Sequence, residues 1–182
     1  MKKENIVQFV LRLTVTLFLI TGVMAAALAG VNAVTKDAIA ANQEEKTQAA
    51  LSEVLPGAGK LEKLPLSGDS GIVSEVYCSG SSYAVKVTPG GFGGEITMMV
   101  GIVDGSVSGI SVISHAETPG LGAVAAASNA KGEAFRGQFA GQSGELVIGD
   151  QVDAMSGATI TSNAYERCVQ DCFAAYDAVK EG

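Results

Sequence analysis

The sequence of 182 residues is 47% hydrophobic but only 5% aromatic and contains 23 glycines, which favours one domain of strands and turns over a purely helical bundle. Its net charge of −7 excludes electrostatic binding to nucleic acid, because phosphates require a basic surface. One histidine and three cysteines are too few for the common zinc frameworks and argue against a redox metal cluster held by this chain alone.

The first apolar segment is long enough to cross a membrane. Residues 13–34 contain no charged side chain, and as a helix they would extend about 33 Å. A cleaved signal peptide is the alternative, since the small residues at 25–29 resemble a cleavage site. We expect a retained anchor, because the apolar part of a signal peptide is usually shorter, about 7–15 residues.

The cations around this segment predict its orientation. Lys2, Lys3 and Arg12 precede it, whereas Lys36 beyond it is followed directly by Asp37. By the positive-inside rule, the N-terminus lies in the cytoplasm and the rest of the chain lies outside.

The predicted division is therefore a cytoplasmic N-terminus with a transmembrane anchor, residues 1–34, and an extracytoplasmic domain, residues 35–182. The first region has a net charge of +2, which leaves −9 of the total for the domain. Helix-forming alanine, glutamine, glutamate and lysine dominate residues 35–53, so this segment either continues the anchor helix or starts a new one. Pro56-Gly57 predicts the end of that helix.

Two hairpins are predicted next. Gly80 lies in the polar turn of the first hairpin, and Asp104-Gly105, a dipeptide typical of type I′ turns, connects the second. Between the hairpins, the glycines of residues 89–94 do not match the spacing of nucleotide-binding loops and predict a flexible turn. The four predicted strands lie at residues 72–78, 83–88, 95–103 and 106–114.

The last third of the chain predicts two helices and a short strand. Helix-forming residues extend over 123–135 and end near Gly137, and residues 145–148 read as a strand. An amphipathic helix is predicted from Ser162 to about Lys180, with its apolar face packed on the domain. That face contains Tyr165, Val169, Cys172, Phe173 and Tyr176.

A hydroxyl-rich segment, residues 153–162, immediately precedes this last helix. The N-terminus of a helix offers unpaired N–H groups and a partial positive charge, so the segment is a plausible anion or phosphate site. Helix capping is the alternative, with Asn163 as the cap and Glu166 three residues later. From the residues alone, capping is the preferred interpretation.

Three segments resemble one protein family. Residues 156–161 read Ser-Gly-Ala-Thr-Ile-Thr, which resembles the signature of FMN-binding domains in the RnfG and NqrC subunits of ion-pumping redox complexes. Residues 115–122 are similar to a second family segment, and residues 91–94 with 100–102 are similar to a third. These segments occur in the family order, so the resemblance does not depend on one short motif.

The resemblance implies a role for individual residues. In the family the threonine equivalent to Thr159 is esterified by the phosphate of FMN, so Thr159 is implied to be a covalent anchor. A threonine hydroxyl is a weak nucleophile without an activating base, so attachment would require a separate flavin transferase, and no catalytic residue is assigned. The implied cofactor-binding residues are Thr159, Ser156, Gly157, Ala158, Thr161, Glu117, Thr118 and Leu121.

The same resemblance implies an α+β fold, in which an antiparallel sheet with packed helices is preceded by a single N-terminal transmembrane helix. It implies an electron-transfer subunit of a membrane complex that couples ferredoxin and NAD chemistry to movement of Na⁺ or H⁺, with multispanning membrane subunits as partners. The short sequence between anchor and motif favours RnfG over NqrC. Three alternatives stay open: an NqrC-like subunit of a Na⁺-translocating quinone reductase, a membrane-tethered flavin shuttle, and a non-redox binding module.

The remaining candidate residues receive structural interpretations. Pro119-Gly120 fits the central positions of a type II turn, and the resemblance alone makes the neighbouring Glu117, Thr118 and Leu121 contacts of the flavin ring.

His115 is expected to be a surface or structural residue rather than a proton relay. Cys168 and Cys172 are expected to be buried thiols, because Cys78 is the only further thiol and does not complete a four-ligand site. Met98 and Met99 are expected in the core or on the sheet.

Overall fold

The computed structural model describes residues 6–65 and 71–181 and separates the chain into two compact units, Met1–Glu44 and Glu45–Gly182. Lys2 and Lys3, on which the predicted orientation depends, lie outside the described residues. The domain boundary predicted after residue 34 falls inside the first unit, because a helix continues beyond the apolar segment.

One helix, α1 (Ile6–Val54), contains both the apolar segment and the alanine-rich segment that follows it. It therefore continues the anchor rather than starting anew, and it ends just before Pro56, as predicted. Its apolar part is long enough to cross a bilayer, and the side chains there are exposed. Thr14, Thr16 and Thr21 each donate a hydroxyl hydrogen bond to a carbonyl oxygen one turn earlier, so these hydroxyls need no water.

The second unit contains one antiparallel sheet of five strands, arranged in chain order. Both predicted hairpins are confirmed, and Asp104 and Gly105 have the positive φ values of 50° and 78° that the predicted turn requires. The first strand was missed, because three residues with two charges show no alternating pattern. The strands are β1 (Glu62–Leu64), β2 (Val73–Ser79), β3 (Ser82–Val87), β4 (Ile96–Val103) and β5 (Ser106–His115).

The sheet has an apolar cluster on each face. Helices α2 (Ala123–Ala126), α3 (Ala130–Gly137) and α4 (Thr159–Glu181) cover one face, and the last turns of α1, around Leu51 and Val54, cover the other. Because neighbouring side chains of a strand point to opposite faces, the fully buried Met98 and Met99 belong to different clusters. The predicted α+β class, with an antiparallel sheet and packed helices after one long apolar helix, is confirmed.

The helix predicted over residues 123–135 is two helices. The chain becomes extended at Ala127, and Asn129 begins α3 by accepting hydrogen bonds on its side-chain oxygen from the N–H groups of Lys131 and Gly132. An asparagine in this position stabilises a new helix start, which overrides the helix-forming composition around it. The predicted end near Gly137 is correct.

The strand predicted at residues 145–148 is wrong. This segment is a loop with one isolated bridge, between Ile148 and Val152. The N–H of Val147 donates to the Gln151 side chain, and the N–H of Ile148 donates to the Glu166 carboxylate. Side chains therefore take the donors that a strand would use for its ladder.

Helix α4 starts at Thr159, three residues earlier than predicted. Asn163 and Glu166 therefore lie inside the helix, and the capping interpretation of these two residues is wrong. The predicted apolar face is confirmed, since all five of its residues are buried in the cluster against the sheet. Cys168 and Cys172 are also buried and free, as predicted; burial, with the Cys172 side chain alongside, raises the pKa of Cys168 and keeps its thiol protonated.

Candidate functional site

A cavity of about 310 Å³ lies where three loop segments meet beside the start of α4. One segment is the glycine-rich loop before β4, the second follows β5, and the third leads into α4 and includes its first turn. The ten residues that line the cavity are Phe92, Glu117, Thr118, Leu121, Gly122, Gly157, Ala158, Thr159, Ile160 and Thr161.

The start of α4 presents backbone donors and an exposed hydroxyl. The Ser162 N–H donates to the Ala158 oxygen at 2.9 Å, so Ala158 holds the capping position. An alanine methyl accepts no hydrogen bond, and the first N–H groups of the helix are left for water or a ligand. Ser162 Oγ tightens the turn by accepting from the Met155 N–H, whereas Thr159 is exposed at the cavity.

The loop after β5 forms the predicted turn. Leu121 N–H donates to the Thr118 oxygen at 3.2 Å, and Gly120 has the φ of 80° that the third position of a type II turn requires. The turn directs Thr118 and Leu121 to the cavity, and both residues are exposed. Pro119 and Gly120 therefore fix the conformation of this turn, but neither residue lines the cavity.

Glu117 links all three segments of the site. Its side chain is buried, and its Oε1 accepts hydrogen bonds from the N–H groups of Phe92, at 2.8 Å, and Gly93, at 3.2 Å. Its Oε2 accepts from the Thr161 hydroxyl at 2.8 Å. The glycine-rich loop is thus fixed by a carboxylate rather than being only a flexible turn, and two of its N–H groups are already in use.

Seven of the eight predicted cofactor residues line this one cavity, and Ser156 is the exception. Thr161 is buried, and its hydroxyl donates a hydrogen bond to Glu117. His115 is exposed, and its Nδ1 accepts from the Glu117 N–H at 3.3 Å, which agrees with the structural interpretation.

Sequence reasoning missed Phe92, Gly122 and Ile160 as lining residues. Phe92, in a glycine-rich loop, and Ile160, in a hydroxyl-rich segment, carried a usable signal, because a large apolar side chain in such surroundings has no evident place in the core. Both are largely exposed, with 68% and 51% of their surface accessible. Gly122 carried no such signal.

The cavity has the features that a flavin mononucleotide needs. The start of a long helix favours a phosphate, and Phe92, Leu121 and Ile160 offer apolar surface to a planar ring. The volume lies at the lower end of the usual range for small-molecule sites, about 300–1,000 Å³. In the part of the chain that the structure describes, no group of three or more histidine, cysteine, aspartate or glutamate residues is placed to hold a metal ion.

A second cavity, of about 400 Å³, lies between the end of α1 and β2. Gln48, Lys60 and Tyr77 are among its lining residues, and none of the predicted cofactor residues reaches it. Of these two cavities, only the one beside the start of α4 is lined by predicted cofactor residues.

Two family profiles match this sequence. The FMN-binding domain matches residues 91–174, which contain all three segments of the cavity, and the RnfG N-terminal region matches residues 1–54, which contain α1. Together, the two matched regions contain α1 and all the residues that line the cavity.

Two relatives align with this chain over most of their length. The G subunit of the Na⁺-translocating ferredoxin:NAD⁺ oxidoreductase complex of Acetobacterium woodii is 35% identical over 183 aligned residues, which cover 85% of this chain and 86% of the relative. The G subunit of the ion-translocating oxidoreductase complex of Methanosarcina acetivorans is 33% identical, over 84% of this chain and 87% of its own. Because both alignments cover most of each protein, the chain belongs to the RnfG family.

Proposed function

We propose that this chain is an electron-transfer subunit of an ion-translocating ferredoxin:NAD-type oxidoreductase complex and carries FMN through a phosphoester on Thr159. One observation carries the proposal: the exposed Thr159 hydroxyl and the turn around Leu121, which are 38 residues apart in the sequence, border the same cavity. The match of residues 91–174 to the FMN-binding domain and the names of the relatives support it.

Each part of the cavity has a role in holding the cofactor. The first N–H groups of α4 stabilise the negative charge of the phosphate, and Thr159 keeps it attached. Phe92, Leu121 and Ile160 are exposed residues that line the cavity, and they would offer apolar surface to the ring. Bound FMN supplies the electron exchange, and the chain supplies its position and surroundings.

Attachment requires chemistry that this site lacks by itself. The carboxylate on the cavity wall, Glu117, accepts its hydrogen bonds from Phe92, Gly93 and Thr161, and none of these bonds comes from the Thr159 hydroxyl. We therefore expect a separate flavin transferase to supply a base that takes the hydroxyl proton, and to use a flavin phosphoanhydride as the donor. The Thr159 oxygen would form the new bond to the flavin phosphorus as the anhydride P–O bond breaks, and the other phosphate group would leave with its substituent.

The proposed location follows from the charges around the apolar segment. Lys2, Lys3 and Arg12 place the N-terminus in the cytoplasm, so the flavin domain lies outside and the chain is a single-pass protein of the cell membrane. Covalent attachment then prevents loss of the cofactor from an extracytoplasmic site. Multispanning membrane subunits of the complex are the expected partners.

Replacement of Thr159 tests the proposal. The full chain, purified from the membranes of its native host, is expected to carry yellow fluorescence on a denaturing gel and an intact mass increased by FMN less one water. Thr159→Ala is expected to lose both signals and remain folded in the membrane. Ser128→Ala removes a hydroxyl from an exposed residue outside the cavity and outside the three segments that resemble the family, and is expected to keep both signals.

Each alternative has its own outcome in this experiment. Fluorescence that persists in Thr159→Ala would refute the attachment site, and a colourless wild-type chain would refute covalent flavin altogether. A yellow chain that purifies without multispanning subunits under mild detergent conditions would contradict the complex and favour an independent flavin shuttle.

A further inference from the structure

The Glu117 carboxylate is a buried charge without an ion-pair partner among the described residues. Both ion pairs in the described part of the chain involve Glu75, on β2, and neither involves Glu117. All three hydrogen bonds of the Glu117 carboxylate are donated to it, by two backbone N–H groups and one hydroxyl. An ionised carboxylate satisfies this pattern, since it only accepts hydrogen bonds.

The surrounding backbone is built closely around this carboxylate. A Cβ atom on Gly91 would overlap Glu117 Oε1, and one on Gly122 would overlap Glu117 Oε2 and the Thr161 hydroxyl oxygen. The two glycines thus leave room for a side chain rather than for a ligand. Such a tight arrangement fixes the distance between the glycine-rich loop and the first turn of α4.

We propose that Glu117 is a positioning residue that also lowers the reduction potential of the flavin, rather than a residue that holds the ring by contact. This inference rests on the proposed function. Its hydrogen bonds hold Phe92 and the first turn of α4 on either side of the cavity. Its negative charge, facing the same cavity, opposes the addition of electrons to the cofactor.

The size of the charge effect follows from simple electrostatics. Glu117 lines the cavity, so its charge would act on a cofactor bound there at short range. At an effective dielectric constant of about 20, one unit charge changes an equilibrium at least about tenfold at any separation up to about 12 Å. Removal of the Glu117 charge is therefore expected to shift the reduction equilibrium of the bound flavin at least tenfold toward the reduced form.

Glu117→Gln separates the effect of the carboxylate charge from the effect of the hydrogen bonds that position the two segments. The glutamine oxygen accepts from the N–H groups of Phe92 and Gly93, and its amide donates to the Thr161 oxygen, which reverses the role of that hydroxyl. This variant is expected to fold, to carry flavin and to show this shift in a reductive titration of the purified full chain. Glu117→Asp keeps the charge but shortens the side chain, and is expected to lose thermal stability while its equilibrium stays near that of the wild type.

Glu95→Gln is the matched control, because it removes an exposed carboxylate near the same loop. It is expected to leave the reduction equilibrium unchanged. If Glu117→Gln and Glu117→Asp shift the reduction equilibrium of the flavin equally, the effect comes from general structural damage, and the inference is overturned. An unchanged equilibrium in Glu117→Gln, or failure of that variant to fold or hold flavin, would also overturn it.

The failure of the proposed function is visible separately, in the wild-type chain. A wild type without flavin would refute the proposed function together with this inference. A flavin-loaded wild type whose potential is insensitive to Glu117→Gln would refute this inference alone.

Discussion

The side chain of Leu121 lies against the backbone of Gly157, so closely that a methyl group on Gly157 would stand 3.3 Å from Leu121 Cδ2. This contact joins the turn after β5 to the segment that leads into α4. Leu121 is still 46% exposed, so much of its side chain contributes to the wall of the cavity rather than to the core. A ring bound in the cavity would meet this leucine.

Leu121→Ala is therefore expected to change the environment of the flavin more than the stability of the domain. The visible absorption spectrum and the reduction potential should shift, while the free energy of unfolding falls by about 1 kcal/mol or less, because the side chain is half exposed. Spectra and redox titrations of the purified chain measure the first effect, and thermal unfolding measures the second. Lys60→Ala, in the exposed segment before β1, should change neither. Unchanged spectra and potentials in both Leu121→Ala and Phe92→Ala would mean that the ring lies elsewhere.

The start of α3 offers a test of the correction to the predicted helix. Asn129→Ala removes the oxygen that accepts from Lys131 and Gly132, and should lower the free energy of unfolding by about 1 kcal/mol. For a domain of this size, this corresponds to a fall of about 2–4 °C in the melting temperature. Ser128→Ala, one residue earlier and exposed, should have little effect. Equal melting temperatures for the two variants would show that the asparagine does not stabilise the helix start.

The sequence predicted those parts of the fold that depend on local patterns. Residues 106–114 form a strand after Asp104-Gly105 because the turn residues and the alternating side chains specify the same hairpin. The apolar face of α4 around Tyr165 and Val169 was equally predictable, since its apolar residues recur at helical spacing within one continuous segment. At the site, the hydroxyl-rich segment indicated a helix start, although its role as a flavin anchor came from the family resemblance.

Interactions between distant segments could not be predicted in this way. The link from Glu117 to Phe92 joins residues 25 apart, and no local pattern distinguishes a carboxylate that organises a loop from one that touches a ligand. Residues 145–148 have the composition of a strand, but the Glu166 carboxylate, 18 residues after Ile148, takes one of their backbone donors. Both arrangements have the same physical cause, which is a side chain from elsewhere in the chain that accepts backbone hydrogen bonds.

A cluster of charges on β1, β2 and β3 predicts how stability depends on pH. Burial alone would raise the pKa of Glu75, but hydrogen bonds from Lys63 and Tyr77 and the charge of Lys86 outweigh it and hold the pKa below its ordinary value of 4.5. A carboxyl group whose pKa is lowered by folding stabilises the fold above its unfolded pKa and loses that contribution as the pH falls through the folded value.

The melting temperature should therefore decrease as the pH is lowered below about 4.5, and the decrease should be smaller in Glu75→Gln. Thermal unfolding at a series of pH values and constant ionic strength measures the difference. Glu62→Gln removes an exposed carboxylate from the neighbouring strand and serves as the matched control. If Glu75→Gln and the wild type lose stability in parallel, the Glu75 cluster does not contribute to the pH dependence.

The orientation of the chain in the membrane is the last prediction, and the proposed place of flavin attachment depends on it. Lys2, Lys3 and Arg12 should retain the N-terminus in the cytoplasm, because cations near a membrane span resist transfer across the bilayer. Protease added to intact spheroplasts should then remove an epitope placed after Gly182 and leave an N-terminal epitope protected. Inside-out vesicles should give the reverse result. A C-terminal epitope that stays protected in spheroplasts and is degraded in inside-out vesicles would place the domain in the cytoplasm, and the flavin would then have to be attached there.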